Sequence, residues 1–420
     1  MKKIFLLLFI FITLVFNNEN VCASANIKAR IGDNFYDTLE DAINASSSTD
    51  IISLTGDVIL DKTLEIKKTV NINLNNRTIS TEEQVFLVKG GSLNLSGNGK
   101  IVETKPNYGA IMIIGSDDPS KKDYSTVSVG NGVTLEGWSG IFITHDNNKS
   151  YGVLVNMNGD INAVDDVSGG PGAGIYVNGK IKDDENSPII NLSNTVNITS
   201  TGNGIYAAGY ATYNINGAYI SGDESGLGIK SGVFNIIDGT IVGTGLDKTP
   251  TSGNNNGINA SGTAIQIESN SGYKGDIELY IKDGDIKSKN SNVIYEYTVK
   301  NSQTKVKNID ITGGTYISDV KKEVFSLSDS FKSNHNSFIS GGTYSSNPSD
   351  YLESGYSTSL NENSLYEVVR STISVFGLKN EKRNNSIPIF PIIGIIVVLG
   401  IITYLNRKKI LNLISKYIVI

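Results

Sequence analysis

Cysteine and arginine are the residues that this 420-residue chain most clearly lacks. Its only cysteine, Cys22, lies in a segment that we expect to be removed, which excludes a disulfide framework, a thiolate metal site and a cysteine nucleophile. No arginine occurs between positions 78 and 369, so this region has no guanidinium to act as a base or to clamp a carboxylate. Few long helical patterns appear between the two ends of the chain, and a net charge of −6 argues against a nucleic-acid partner.

The two ends of the chain carry targeting signals. Residues 1–25 combine two lysines, a short apolar run and the small residues Ala23-Ser24-Ala25, which predicts a secretory signal peptide; an uncleaved N-terminal anchor is the alternative. Residues 387–405 are uncharged and apolar and are followed by "NRKK", which predicts a transmembrane helix with a cytoplasmic tail, 406–420. A buried core helix is the alternative there. We therefore expect a single-pass cell-membrane protein whose extracellular part is 26–386.

A repeat of about 30 residues organises the region between these ends. Segments such as "SGIFIT" at 139, "AGIYV" at 173 and "NGIYAA" at 203 recur along it. The first core residues of these segments, taken as anchors, are Ile111, Ile141, Ile175, Ile205, Ile229, Ile265, Ile294 and Val324. Successive anchors are 30, 34, 30, 24, 36, 29 and 30 positions apart. This regularity predicts stacked structural units.

A second family of segments alternates with the first and turns around Asn-Gly, Asp-Gly or Gly-Gly. Glycine there permits the positive φ angle that a sharp change of strand direction requires. The glycines concerned are Gly132, Gly159, Gly217, Gly239, Gly284, Gly314 and Gly342. In the last two copies, both "GGTY", Thr315 and Thr343 are predicted to face out, while Tyr316 and Tyr344 begin packing the next strand.

Two alternating strand families with a long fixed period predict an all-β, parallel solenoid. Each unit would bury its inward residues against its neighbours, because side chains alternate between the two faces of a strand. A β-sandwich is the alternative, since Asn-Gly and Asp-Gly are also hairpin signals. Hairpins, however, need no fixed long period.

The remaining segments are expected to close the stack. We predict an N-terminal cap and first coils over 26–84, coils over 85–350, a closing hairpin over 351–369 and a stalk over 370–386. Within the cap, residues 37–46 predict a short helix with Thr38 and Asp41 at its N-terminus. Its apolar stripe would be Leu39, Ala42 and Ile43, and it would cover the open end of the β-column.

The two ends of this region resemble a known family. "IGDNFYDTLEDAINASSSTDIISLTGDVIL" with "INLNNRTIS" is similar to the opening of right-handed parallel β-helix (pectin-lyase-like) domains in surface proteins of Gram-positive bacteria. "ISGGTYSSNPSDYLESGYSTSLNENSLYEVV" resembles their closing module, so the likeness covers about residues 27–369. The resemblance implies a right-handed parallel β-helix at a cell surface. It implies no single activity, because this fold carries lyases, hydrolases, adhesins and stalks.

Three carboxylate pairs are the candidates for chemistry. Asp117-Asp118, Asp165-Asp166 and Asp183-Asp184 all lie in turn-rich insertions, and adjacent residues on a strand would point to opposite faces. Asp165 and Asp166 are the alternative carboxylate site that a polysaccharide lyase or glycoside hydrolase would need. The other interpretations are solvated loop acids or a weak Ca²⁺ site, although no spacing resembles a calcium loop. No catalytic residue, metal ligand or cofactor is assigned otherwise.

An outward column of aromatic residues is the candidate binding site. If Ile141, Ile175 and Ile205 point inward, then Phe142, Tyr176 and Tyr206 point outward from three consecutive coils about 4.8 Å apart. Such a ladder suits a glycan, which stacks on aromatic rings. The alternative is packing of ring on ring beneath a loop, and Trp138 nearby is either a corner filler or a sugar platform.

We therefore expect a non-catalytic β-helix ectodomain on a bacterial surface. Its role would be adhesion, binding of a cell-surface or host glycan or protein ligand, or service as a structural stalk, with the membrane contacted through the C-terminal helix. Pectate-lyase-like cleavage or glycoside hydrolysis is the alternative function.

Overall fold

The structure, a computed structural model, describes residues 27–179, 181, 185–247, 262–299 and 305–371. In these residues 50% of the chain is strand and 5% helix, which confirms the all-β prediction. The predicted signal peptide (1–25), most of the stalk, the membrane span (387–405) and the tail (406–420) lie outside the described residues. Within them, no helix is both long and apolar enough to cross a membrane.

The strands of the described residues follow one another with two short helices between them. In chain order the strands are Ala29–Ile31 (β1), Asn34–Tyr36 (β2), Ile51–Leu54 (β3), Val58–Ile59 (β4), Leu64–Ile66 (β5), Thr69–Asn73 (β6), Arg77–Thr81 (β7), Phe86–Lys89 (β8), Ser92–Ser96 (β9), Gly99–Glu103 (β10), Ile111–Ile114 (β11), Ser125–Val129 (β12), Val133–Gly137 (β13), Ile141–Thr144 (β14), Val153–Met157 (β15), Asp160–Ala163 (β16), Ala173–Val177 (β17), Ile189–Leu192 (β18), Asn197–Ser200 (β19), Asn203–Ala207 (β20), Thr212–Gly222 (β21), Ser225–Ile229 (β22), Gly232–Gly243 (β23), Thr263–Ser269 (β24), Ile277–Ile281 (β25), Asp285–Ser288 (β26), Ile294–Thr298 (β27), Val306–Ile311 (β28), Thr315–Ser318 (β29), Phe325–Ser326 (β30), Thr343–Tyr344 (β31), Tyr356–Leu360 (β32) and Tyr366–Arg370 (β33). The helices are Leu39–Ala45 (α1) and Asp329–Asn334 (α2), with a 3₁₀ turn at Ser349–Tyr351.

Three ladders of parallel strands run through the described residues, and each repeat contributes one strand to each ladder. The first ladder is β3, β6, β9, β12, β15, β18, the beginning of β21, the beginning of β23, β25 and β28. The second is β4, β7, β10, β13, β16, β19, the ends of β21 and β23, β26, β29 and β31. The third is β5, β8, β11, β14, β17, β20, β22, β24, β27 and β30. The parallel pairing excludes the hairpin pattern of a β-sandwich for these strands.

Alternating side chains explain the core between the ladders. In β14, for example, Ile141 and Ile143 are fully buried while Phe142 is half-exposed, and the same order recurs in β17 and β20. The buried residues of all three ladders form one continuous apolar cluster. Each unit alone would leave its inward residues in water, so the apolar area is buried only by stacking the units.

The third ladder shows which predicted anchors are equivalent. Ile111, Ile141, Ile175 and Ile205 occupy one row, as predicted. The next member is Leu227, not Ile229, because the chain from Ile205 to its register partner is shorter than the spacing of the anchors implied. After Ile265 and Ile294 the row ends at Phe325, not Val324. Both misassigned residues are nevertheless buried.

The glycine corners lie between the first and second ladders. Six of the seven glycines have positive φ, from 86° at Gly132 to 145° at Gly239. Gly159 is the exception, so a φ requirement was the wrong explanation there. A Cβ at that position would stand 2.4 Å from the carbonyl oxygen of Val133 on the adjoining unit. Close stacking of the two corners therefore requires glycine at Gly159.

The two ends of the stack are closed differently. At the N-terminal end, β1 pairs antiparallel with β2 and β3, and α1 buries Leu39, Ala42 and Ile43 against them. The Thr38 hydroxyl accepts a hydrogen bond from the Asp41 amide and so caps α1, as predicted. At the other end, β32 and β33 form an antiparallel hairpin that continues from β31.

A buried hydroxyl without a partner gives a first prediction. Tyr213 is fully buried and stacks on Phe234 at 4.2 Å between centroids, and its hydroxyl has no hydrogen-bond partner among the described residues. Tyr213→Phe is expected to raise the free energy of unfolding by about 1 kcal/mol, because it removes an unsatisfied polar group. Denaturant melts measure this change. Tyr316→Phe is the matched control and should destabilise by a similar amount, because the Tyr316 hydroxyl donates to Gly313 O at 3.0 Å; destabilisation by both variants would contradict the explanation.

Candidate functional site

The three predicted aromatic residues form a contiguous column on the outer face of the third ladder. Phe142, Tyr176 and Tyr206 are direct register partners on β14, β17 and β20, and all three are half-buried. Adjacent ring centroids are 4.9 Å apart in both pairs. We call these residues, together with Trp138, the aromatic column.

The rings of the aromatic column largely pack against one another. Tyr176 and Tyr206 are stacked, with 22° between their planes, whereas Phe142 meets Tyr176 edge to face at 80°. Burial raises the pKa of the Tyr176 hydroxyl and raises that of Tyr206 further. The stacked faces of Tyr176 and Tyr206 cover each other, whereas Phe142 meets Tyr176 only with an edge. A ligand would therefore contact the ring of Phe142 more readily than that of Tyr206.

Trp138 extends the column at the corner between β13 and β14. Its ring lies 5.3 Å from Tyr176 and 6.2 Å from Phe142, and its indole Nε1 donates to Pro171 O at 3.0 Å. Its backbone amide donates to Glu103 Oε2 at 3.1 Å. Glu103 and the Pro171 carbonyl thus fix the tryptophan, which is half-exposed and belongs to the column.

Glu103 is a buried carboxylate that sequence reasoning did not select. It is 2% exposed, and its Oε1 accepts the amides of Asn107 at 3.0 Å and Tyr108 at 2.9 Å, in addition to the Trp138 amide at Oε2. Three backbone donors satisfy the charge that burial would otherwise penalise. A Cβ on Gly137 would stand 2.8 Å from Glu103 Oε2, so glycine there leaves room for the carboxylate.

The structure gives Asp165 and Asp166 different surroundings and no shared site. Asp166 accepts hydrogen bonds from the amides of Ser168 and Gly170 and from the Ser168 hydroxyl, and these bonds lower its pKa. It therefore shapes the turn that leads to Pro171, the acceptor of the Trp138 indole. Asp165 is exposed beside it. Asp165 and Asp166, predicted as an alternative carboxylate site, thus lie in a turn that leads to the hydrogen-bond acceptor of Trp138.

The other acidic pairs also organise turns where the structure describes them. Asp118 accepts from the amide and hydroxyl of Ser120, and these bonds lower its pKa. Asp117 accepts from the Asn147 side-chain amide at 2.5 Å. Asp183 and Asp184 lie outside the described residues. Among the residues that are described, no group of three His, Cys, Asp or Glu side chains could hold a metal ion.

A groove near the first repeats is a concave surface that sequence reasoning missed. It has a volume of about 800 Å³ and combines exposed apolar residues (Ile59, Tyr108, Val167) with acidic ones (Asp61, Glu82, Glu83). Lys105 pairs with Glu82 at 2.6 Å. The amide of Val167 donates to Pro106 O, which joins the Asp166 turn to the wall of the groove.

The Tyr206 end of the column adjoins a polar cluster. Tyr206 and Tyr273 share a hydrogen bond, and burial raises the pKa of Tyr273 to about 12. Lys305 donates to Tyr273 O at 2.6 Å, and desolvation lowers the pKa of its ammonium from 10.5 to about 8.

This lysine gives a prediction on pH. Between about pH 8 and 10.5 the unfolded chain keeps a proton on Lys305 that the folded chain has released, so raising the pH favours the folded state in that window. The wild type should therefore gain melting temperature relative to Lys305→Met as the pH rises from about 7.5 to about 9.5. Parallel curves for the two proteins would contradict this expectation.

No family model, no curated protein and no solved structure matches this chain.

Proposed function

We propose that this chain is a non-catalytic surface protein whose ectodomain, a right-handed parallel β-helix of the pectin-lyase-like kind, binds a glycan along the aromatic column. The C-terminal apolar segment holds the protein in a bacterial membrane, and the ligand belongs to the bacterial or the host surface. The observation that carries the proposal is the unbroken contact of Trp138, Phe142, Tyr176 and Tyr206 on the outer face of one ladder.

The three parallel ladders support the β-helix part of the proposal. Each repeat places one strand in each ladder, and the registers of β14, β17, β20 and β22 bring equivalent residues into the same row. Such a stack is rigid and elongates by addition of repeats, which suits display of a binding surface away from a membrane.

The geometry of the column supports binding of an extended ligand. Three rings on successive strands repeat at the spacing of the ladder, and the tryptophan at the corner widens the apolar strip. The apolar faces of sugars pack on such rings, while ring edges and hydroxyls offer polar contacts. Because the Tyr176 and Tyr206 faces cover each other, we place the main sugar contact at Trp138 and Phe142.

A glycan array tests this proposal. The full-length protein, purified in detergent, should bind a subset of glycans, and Phe142→Ala should reduce that binding by at least about tenfold, as loss of about 1.4 kcal/mol implies. Tyr176→Ala should act similarly, because it removes the ring that supports both Phe142 and Trp138.

The matched control is Tyr219→Ala, which removes a 39% exposed ring from the second ladder, away from the column. It should leave glycan binding unchanged. Binding that survives Phe142→Ala and Tyr176→Ala in folded protein would remove the column from the proposal. Thermal melts establish that the variants remain folded.

Polysaccharide cleavage is the second candidate function, and the acidic groove is the observation in its favour. Glycoside hydrolases work with two carboxylates, one of which must hold a proton near neutral pH. Asp61, Glu82 and Glu83 line this groove, and all three side chains are exposed. Turnover on a polysaccharide panel that is lost in Glu82→Gln or Glu83→Gln would favour this function over binding.

A further inference from the structure

A buried lysine and a buried glutamate face each other beyond the Tyr206 end of the aromatic column. Ile229 of β22 and Ile267 of β24 are register partners, so the next residues, Lys230 and Glu268, lie side by side. Their side chains are 3% and 1% exposed, and Lys230 Nζ contacts Glu268 Oε2. Burial lowers the pKa of the Lys230 amine, although the carboxylates of Glu268 and Glu224 oppose that shift.

Aromatic rings separate this pair from water. Lys230 Nζ lies 5.2 Å from the ring centroid of Tyr206 and 5.2 Å from that of Tyr273. The pocket around the pair, as bounded by the described residues, has no volume for a water molecule. An ion pair in such a place carries a large desolvation cost, because both charges are removed from water.

We propose that the side chains of Lys230 and Glu268 join as an intramolecular amide bond. Nζ attacks Cδ of Glu268, the Nζ–Cδ bond forms and the Cδ–Oε2 bond breaks. Of the three protons on the ammonium, one stays on the amide nitrogen and two leave with Oε2 as water. Nothing is oxidised or reduced, and no other reactant is required.

The surroundings of Glu268 favour this condensation. Its other oxygen, Oε1, accepts a hydrogen bond from the Asn270 side-chain amide at 2.9 Å, and this donor stabilises the negative charge that forms there during attack. Desolvation activates a lysine amine as a nucleophile. The fold also holds the two reacting groups in contact, so no entropy is lost in bringing them together during the reaction. Exclusion of water also removes the solvent that would hydrolyse the product.

Glu224 is a candidate proton carrier for this step. Asn203 lines the same pocket as Lys230 and Glu268, and its side-chain amide donates to Glu224 Oε2 at 2.9 Å; the Glu224 carboxylate opposes the lowering of the Lys230 pKa. Glu224→Gln is therefore expected to slow formation of the bond and not to prevent folding.

A peptide map of the full-length wild-type protein tests the bond. Trypsin does not cleave after a lysine whose amine is in an amide, so digestion should yield residues 183–248 joined to 249–274, lighter by one water, about 18 Da, than the sum of the two peptides. Lys230→Met should give the separate, unmodified peptide 249–274.

The pair formed by Lys322 and Asp247 is an internal control, because the two side chains are also in contact but are 41% and 39% exposed. It should remain unlinked in the same digest. Free peptides 183–230 and 249–274 as the main products would overturn the proposal. So would loss of ammonia in place of water, which would identify a side-chain amide as the partner of Lys230.

Discussion

Tyr316→Ala is expected to lower the free energy of unfolding by about 3–5 kcal/mol, the range for removing a large aromatic side chain from a core. Tyr316 is fully buried, its ring stacks on Tyr344 at 4.7 Å with 5° between the planes, and its hydroxyl donates to Gly313 O. The variant would leave a cavity, an unpaired Tyr344 face and an unsatisfied carbonyl group. Urea-induced unfolding, followed by circular dichroism, measures the change.

The control for this prediction lies on the same strand. Thr315→Ala changes the neighbouring side chain, which points outward and is half-exposed, and should alter stability by no more than about 0.5 kcal/mol. If both variants destabilised the protein equally, the inward orientation of Tyr316 would be wrong, and with it the assignment of the "GGTY" segments to corners of the stack.

Glu103→Ala is the second large effect that we expect, at about 3–5 kcal/mol, because it removes a buried carboxylate and leaves three part-buried backbone amides without their acceptor. The same change releases the amide of Trp138. Since the chain contains one tryptophan, its emission should shift to longer wavelength as the corner loosens, and this shift can be read in the folded protein.

Glu136→Ala is the matched comparison for Glu103→Ala. Glu136 stands on the next strand of the second ladder, points outward and pairs with Lys100 at 2.6 Å. A surface pair of this kind contributes at most about 1 kcal/mol. Equal losses in the two variants, or unchanged Trp138 emission in Glu103→Ala, would contradict the role assigned to Glu103.

The strand architecture was largely predictable because its causes are local and repeated. Asn-Gly, Asp-Gly and Gly-Gly indicate corners because glycine permits a positive φ angle. Alternating apolar residues indicate which side chains of a strand point inward. Gly159 shows the limit of this reasoning. Glycine is needed there because a Cβ would collide with Val133 on the adjoining unit, and not because the backbone of Gly159 has a positive φ. The anchors Ile229 and Val324 were misplaced because the register of two paired strands depends on the length of chain between them. That length is not evident from the sequences of the strands themselves.

The sequence predicted which residues form the outward row of the aromatic column, but not how their rings are oriented. Alternation and period place Phe142, Tyr176 and Tyr206 in one outward row, yet the angles of 80° and 22° between their rings depend on packing across three strands. Glu103 and Lys230 could not be selected at all. A charged residue is ordinarily exposed, and only the fold reveals the amides or aromatic rings that enclose these two.

The emission of Trp138 offers the most direct test of glycan binding at the column. Trp138 is the only tryptophan and lies 5.3 Å from Tyr176, so a ligand on the column must change its environment. Titration of the full-length protein with a glycan that binds on the array should change Trp138 emission saturably, and Phe142→Ala should need at least about tenfold more glycan for the same change. Saturable glycan binding that leaves Trp138 emission unaltered would place the ligand elsewhere and contradict the proposed site.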